Sequence, residues 1–285
     1  MPAFFASPFF RDARHYQIAA LSTLLVFNFG WIDFGARLEN SALALLAALV
    51  TQLVCSYLTR TPLDLRSPLI TGLSLSLLLR ADEPWIHAIA GVIAIASKFL
   101  LRIDGKHIWN PAGFAIVLLL FAATSHVWIS PGAWGSTAWV AALLCFFAIL
   151  VLGAARRTDI AIFFFGTHAA LLFARAVWLG DPFVIPLHQL QSGSLLIFTF
   201  FMISDPRTTP NSRPGRILFA FLVASLAWYI QFRLFRTNGP LWSLAICAMS
   251  VPLIDWLLPA QRYEWKPRKH DLEAVRASHL KVQTI

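Results

Sequence analysis

Asp205 closes a long apolar run and stands directly before Pro206, with Arg207, Arg213 and Arg216 following. A carboxylate at such a boundary can accept hydrogen bonds from a ring N–H or hydroxyl of a bound ligand, or it can pair with Arg216 and fix the loop. Pro206 halts any helix arriving from the N-terminal side. Lys106, behind Gly105, can face an anionic group or anchor the chain at a membrane surface. Asn110 precedes Pro111, where its amide can satisfy backbone freed by a helix break or bond a ligand. His168 sits inside an apolar run, where an ionisable side chain is either a proton-relay group or a neutral imidazole bonded to a neighbouring helix. The other histidines (His15, His87, His107, His126, His188, His270, His279) fall at run ends or in loops, which argues against paired axial ligands for a b-type haem. Cys55, Cys145 and Cys247 are isolated, so the chain alone does not build a zinc site, an iron–sulfur cluster or a disulfide framework. No nucleotide-binding glycine loop, GxSxG or HExxH occurs, which leaves autonomous ATPase or hydrolase chemistry without support.

The elements that position these residues are apolar. The 285 residues are 58% hydrophobic and 13% charged, with a mean hydropathy of +0.67; a soluble domain carries about 25% charged residues. Runs long enough to form membrane helices centre on 16–32, 40–58, 67–80, 85–101, 109–126, 136–154, 160–178, 190–204, 216–232 and 240–258. The reading is an all-α membrane protein of about ten transmembrane helices over 1–258, with a cytoplasmic tail at 259–285. The start lacks the basic segment and cleavage site of a secretory signal, so the first run is expected to stay as a span. The +9 charge is scattered singly or in pairs between apolar runs, as in membrane-protein loops and unlike a nucleic-acid-binding patch. With ten alternating helices and a cytoplasmic N-terminus, only Arg37, Arg80, Arg175, Arg233 and Arg236 fall outside, and every other Lys and Arg falls inside. Both termini are then cytoplasmic, in a bacterial inner membrane.

Ten spans divide into two halves of five, about 16–126 and 136–258. Gly72 in the third span matches Gly193 in the eighth, Pro84 matches Pro206, and Asn110-Pro111 matches Asn238-Gly239-Pro240, at nearly constant offset. An odd number of helices per half makes the repeats inverted, and such folds place their sites at the repeat interface beside broken helices. The spans holding Gly72 and Gly193 are expected to face each other there; alternatively these glycines only permit close helix packing.

Four stretches carry a resemblance: Ser67-Pro-Leu-Ile-Thr-Gly-Leu73, Gly105-Lys-His-Ile-Trp-Asn-Pro-Ala112, Phe201-Met-Ile-Ser-Asp-Pro-Arg-Thr-Thr209 followed by Arg213-Pro-Gly-Arg216, and Pro252-Leu-Ile-Asp255. In this order the chain resembles the RnfD/NqrB family, whose members are the D component of the Rnf ion-translocating oxidoreductase and the B component of the sodium-pumping NADH:quinone reductase. The resemblance implies a membrane electron-transfer protein that works with other membrane or redox subunits. It also implies a flavin near Gly72, Lys106, Asn110, Pro111, Gly193, Asp205 and Pro206. In the family, FMN is esterified to the Thr of an S-G-A-T motif. Here the corresponding loop reads Ser130-Pro-Gly-Ala-Trp-Gly-Ser-Thr137, with Trp134 in place of the acceptor. Trp has no hydroxyl to esterify, and Thr137 lacks the S-G-A context. The chain thus looks closer to a divergent branch without the attachment motif, and the expectation is FMN or riboflavin held non-covalently, or no flavin.

Two other functions fit the same scaffold. One is a small-solute or ion transporter or channel, since inverted repeats of broken helices are common there. The other is a non-catalytic anchor that docks a redox partner on basic loops such as 207–216.

Overall fold

Asp12 accepts from the Arg14 backbone N–H and so starts α1, Ala13–Phe27, which runs on as a π-helical turn, Asn28–Ile32. The computed structural model describes residues 12–32, 37–103, 105–123, 125–130 and 138–263. Asp33, Trp134, Thr137 and the tail from 264 onward lie outside them. Next come α2 (Leu38–Leu58), α3 (Arg66–Leu78), β1 (Leu79–Ala81), α4 (Pro84–Leu100), β2 (Arg102–Ile103), β3 (Lys106–His107), α5 (Pro111–Ala122) and β4 (Val127–Ile129). The second half holds α6 (Ala138–Ala155), α7 (Thr158–Leu179), α8 (Val184–Leu190), α9 (Gly193–Ile197) with a π-helical turn (Phe198–Met202), α10 (Arg213–Phe232), α11 (Gly239–Ala248) and α12 (Val251–Leu257). Local chemistry sets the boundaries. Pro84, Pro111, Pro214 and Pro240 sit in first helical turns, where a missing N–H costs nothing. Gly180 ends α7 in the left-handed conformation, φ 72°.

The helices turn large apolar side chains outward, and α2 buries small and polar ones. On α2 the buried face is Asn40, Ser41, Ala44, Ala48, Gln52 and Ser56, while Leu46, Val50, Leu53, Val54 and Tyr57 are exposed. On α7, Ile162, Phe163, Val177 and Trp178 point outward while Ala161, His168 and Ala176 are buried. That arrangement suits lipid rather than water. Single helices long and apolar enough to cross a membrane number three among the described residues: α2, α7 and α10. Two bent pairs also qualify when each is taken as one span, α8 with α9 (51°) and α11 with α12 (53°). The protein is therefore a mostly helical membrane protein.

Helical segments lie within all ten predicted runs, with three corrections. The third run, 67–80, leaves the helix at Leu78, and its end pairs antiparallel with β4, Arg80 opposite Trp128. The eighth run, 190–204, is broken at Gln191–Ser192, and an unforeseen helix, α8, precedes it. The tenth is broken at Met249–Ser250. The all-α expectation is also modified by a second two-stranded ladder, β2 with β3, where Ile103 lies opposite Lys106.

In packing, α2 lies on α3 and α4, α4 on α5, α7 on α10, α10 on α11, and α1 bridges to α6. Leu21, Leu75, Leu78, Phe164, Phe198 and Phe219 form the middle of one core shared by both halves. The close approach at Gly72 is to α2 and not to Gly193: a Cβ there would lie 2.7 Å from Leu45 Cδ2 and 3.0 Å from Leu45 Cα. Gly193 is buried at the start of α9.

Candidate functional site

The Asn110-Pro111 break behaves as its chemistry dictates. Asn110 Oδ1 accepts from the Gly113 N–H at 3.0 Å and caps α5, with Pro111 in the first turn. Its amide nitrogen then points across to Asp205 Oδ2, 3.4 Å away. Asp205 organises its own turn: Oδ1 accepts from the Arg207 N–H at 3.0 Å, and its carbonyl accepts from the Thr209 hydroxyl at 3.0 Å. Burial pushes the Asp205 carboxyl above its ordinary range, against the Arg207 N–H and the charges of Arg207, Arg157 and Lys106. Arg216 does not pair with Asp205; it is taken by Asp159 of α7, with Nη2 2.5 Å from Oδ2.

Asn110, Pro111 and Asp205 share a cavity of about 260 Å³ with the first half of α3 (Ser67, Thr71, Ser74), the end of α4 (Lys98, Phe99, Arg102), His107, Phe201 and Arg207. Its lining is rich in cations. Lys106 stands behind this wall: Nζ donates to Asp255 Oδ2 at 2.8 Å and to the Thr209 carbonyl at 2.5 Å. Asp255 also accepts from the Asn211 N–H at 2.7 Å, so Lys106 ties the 101–110 loop to the loop before α10 and to α12. Burial lowers the Lys106 ammonium, and its Asp255 contact offsets part of that. Trp109 adds a bond from Nε1 to the Ala245 carbonyl at 2.8 Å, fastening the same loop to α11. Gly72, Gly193 and Pro206 do not line the cavity.

Several lining residues were not anticipated. Asp12 and Asp64 each start an Asp-x-Arg triplet ahead of a helix, and the triplets cross-pair: Arg14 reaches Asp64 at 2.5 Å and Arg66 reaches Asp12 at 2.7 Å. Each Arg also bonds its own Asp, so the four charges form one cluster, of which Arg14 and Asp64 line the cavity. The recurring Asp-x-Arg was the available signal. Lys98, 9% exposed, donates to Gln52 Oε1 at 2.8 Å and Ser67 Oγ at 3.0 Å. Gln52, one turn beyond Ala48 on the buried face of α2, gave the only hint that this lysine turns inward.

A second cavity, about 440 Å³, lies between the last residue of α3, Leu78, and the start of α9. It is lined by Leu78, Ile129, His168, Ser192, Ser194, Phe198, Met202, Gln231, Arg236 and Asn238, and it is mostly neutral. His168 is 3% exposed and stacks on Phe164 with ring centroids 5.7 Å apart. The two cavities come within about one helical turn of each other: Ser74 lines the first and Leu78 the second on α3, while Phe201 lines the first and Phe198 and Met202 the second on the π-helical turn.

An apolar-faced helical bundle with a polar, cation-lined cavity and a second, mostly neutral one defines a polytopic membrane protein with internal polar sites. The NQR2, RnfD, RnfE family model matches residues 124–264. Relatives extend the match to nearly the whole chain. The D component of the ion-translocating oxidoreductase complex of Cronobacter sakazakii is 24% identical, covering 86% of this chain and 93% of its own. That of Alcanivorax borkumensis is also 24% identical, over 90% of this chain and 92% of its own. The D component of the proton-translocating ferredoxin:NAD(+) oxidoreductase complex of Clostridium ljungdahlii is 27% identical over 80% of this chain and 84% of its own. The chain belongs to the NQR2, RnfD, RnfE family.

Proposed function

We propose that this chain is a membrane electron-transfer subunit that holds a flavin, FMN or riboflavin, without a covalent bond in the cavity between Asn110 and Asp205. One observation carries the reading: two helix breaks distant in sequence bring an amide and a carboxylate, 3.4 Å apart, to the wall of a cavity. Asp205 Oδ2 can accept from a flavin N–H or ribityl hydroxyl, and Lys106 braces the loop that presents Asn110. When bound, the flavin supplies one- and two-electron chemistry; the chain's residues bind it, orient it and keep it from bulk water. By analogy with the relatives, it works inside an assembly with other membrane and redox subunits. The packing supports an inverted repeat of ten crossings, since α2 on α4 and α4 on α5 are mirrored by α7 on α10 and α10 on α11. The cations around the first cavity support a cytoplasmic orientation for that end, in an inner membrane. The test is acid extraction of flavin from detergent-purified protein. Stoichiometric flavin is expected, and its absence from protein isolated with its partners defeats the reading.

The near meeting of the two cavities favours one alternative, a path for an ion or small solute. Flux into proteoliposomes that is indifferent to redox state would select it.

A further inference from the structure

Among the cations lining the first cavity, Arg14 is neutralised by Asp12 and Asp64. Lys98, Arg102 and Arg207 are different: among the described residues none has a carboxylate within ion-pair distance. Lys98 is nine-tenths buried, and its two bonds, to Gln52 and Ser67, leave one of three N–H donors open toward the cavity. Arg102 lies over the Phe99 ring, 5.1 Å from its centroid, and bonds the Lys98 carbonyl through Nε only, which leaves its outer N–H groups. The Arg207 guanidinium makes no hydrogen bond among the described residues, while its own backbone N–H is held by Asp205.

The carboxylates on this wall are already engaged. Asp64 accepts from Arg14 and Arg66, and Asp205 from the Arg207 N–H and Asn110. His107 reports the surplus of positive charge: burial and then the charges of Arg207, Lys98 and Arg102 push its pKa down to about 3. Lys98 is buried and Arg207 half-buried, and cations withdrawn from water without counter-charges are costly unless an anion arrives. Arg102 is exposed, and its guanidinium fork, like that of Arg207, matches phosphate oxygens in geometry.

We infer that this cavity binds a phosphate group through Lys98, Arg102 and Arg207. This deepens the flavin reading and, for its flavin arm, rests on it: the cavity selects the 5′-phosphorylated cofactor over riboflavin. An anionic lipid headgroup offers the same chemistry, and the test separates the two sources.

Full-length protein in phosphatidylcholine nanodiscs is titrated with FMN and with riboflavin, followed by flavin fluorescence. FMN is expected to bind at least about tenfold more tightly, as a charge-assisted contact provides. In Arg102→Gln and Arg207→Gln, each checked for a monodisperse elution profile, that ratio falls toward one. In a second arm, flavin-free protein is offered phosphatidylglycerol and its retention is read by native mass spectrometry, with phosphatidylcholine as the reference lipid. Selective retention that drops in Arg207→Gln, with no binding of either flavin, keeps the phosphate site and removes the flavin reading. Equal binding of both flavins with no selective lipid retention overturns the phosphate site and leaves the flavin reading standing. No flavin binding and no lipid preference overturns both.

Discussion

Arg216 of α10 closes on Asp159 of α7 with both Nε and Nη2 on the same carboxylate, at 2.9 Å and 2.5 Å from Oδ2. Its remaining nitrogen, Nη1, donates to the Asn211 carbonyl at 2.7 Å. The side chains are only 10% and 12% exposed, so the pair fixes the α7–α10 contact in a poorly solvated place.

Removing one partner strands the other charge. Asp159→Asn and Arg216→Met are each expected to cost about 3 kcal/mol, as for other buried pairs broken on one side. The apolar double variant Asp159→Leu/Arg216→Met should recover most of that. Thermal unfolding in detergent, arranged as a double-mutant cycle, checks it; additive losses would show that the two residues are not coupled.

The crossed Asp-x-Arg cluster gives a pH signature. Burial alone would raise the Asp64 carboxyl, but the Arg66 hydrogen bond and the Arg14 charge bring it down to about 2 from 3.8. A depressed folded-state pKa means the stabilisation is complete above 3.8 and fades as pH falls toward 2. Asp64 keeps 32% of its side-chain surface, so solvent screening holds the contribution to about 1 kcal/mol. In Asp64→Asn the acid limb of a stability-versus-pH curve should flatten by that amount.

Asp205 has the opposite sign. Its folded-state pKa is raised by burial, so its ionisation weakens the fold as pH rises through the carboxylate range. Asp205→Asn keeps an acceptor for the Arg207 N–H and is expected to fold as well as the parent at neutral pH while holding flavin about tenfold less tightly. Asp205→Ala loses the turn contact as well and should melt lower than Asp205→Asn. Flavin content and melting temperature, measured together, separate the two effects.

Close helix packing makes the glycines sensitive. A Cβ on Gly91 of α4 would lie 2.7 Å from the Ala44 carbonyl oxygen and 3.0 Å from the Ala48 nitrogen, both backbone atoms of α2. Gly91→Ala is therefore expected to cost about 1–3 kcal/mol by forcing the helices apart. Gly153→Ala, with open space around it, should be close to neutral. Equal melting temperatures for the two variants would contradict the packing.

Helix positions were readable from apolar runs because lipid-facing surfaces leave few polar interruptions. Asn110 and Asp205 were readable for a related reason: a polar residue beside Pro111 or Pro206 marks where a run must stop. Lys98 was not, since a single lysine at a span's end looks the same whether it reaches water or turns inward toward Gln52. Nor was the Arg14–Asp64 contact, which joins residues separated by 50 positions and has no local signature beyond a repeated triplet. The pairing of β1 with β4 escaped for the same reason: three-residue strands leave no periodicity to detect.

That short ladder also limits α3 to 13 residues. A helix of that length rises about 20 Å, well under the roughly 30 Å of a hydrocarbon core. Water admitted from both ends would confine the transmembrane voltage to the few ångströms of Leu, Phe and Met side chains that remain between them. A unit charge moved across that layer would feel nearly the full potential, about 2.3 kcal/mol per 100 mV, over a distance no longer than a side chain.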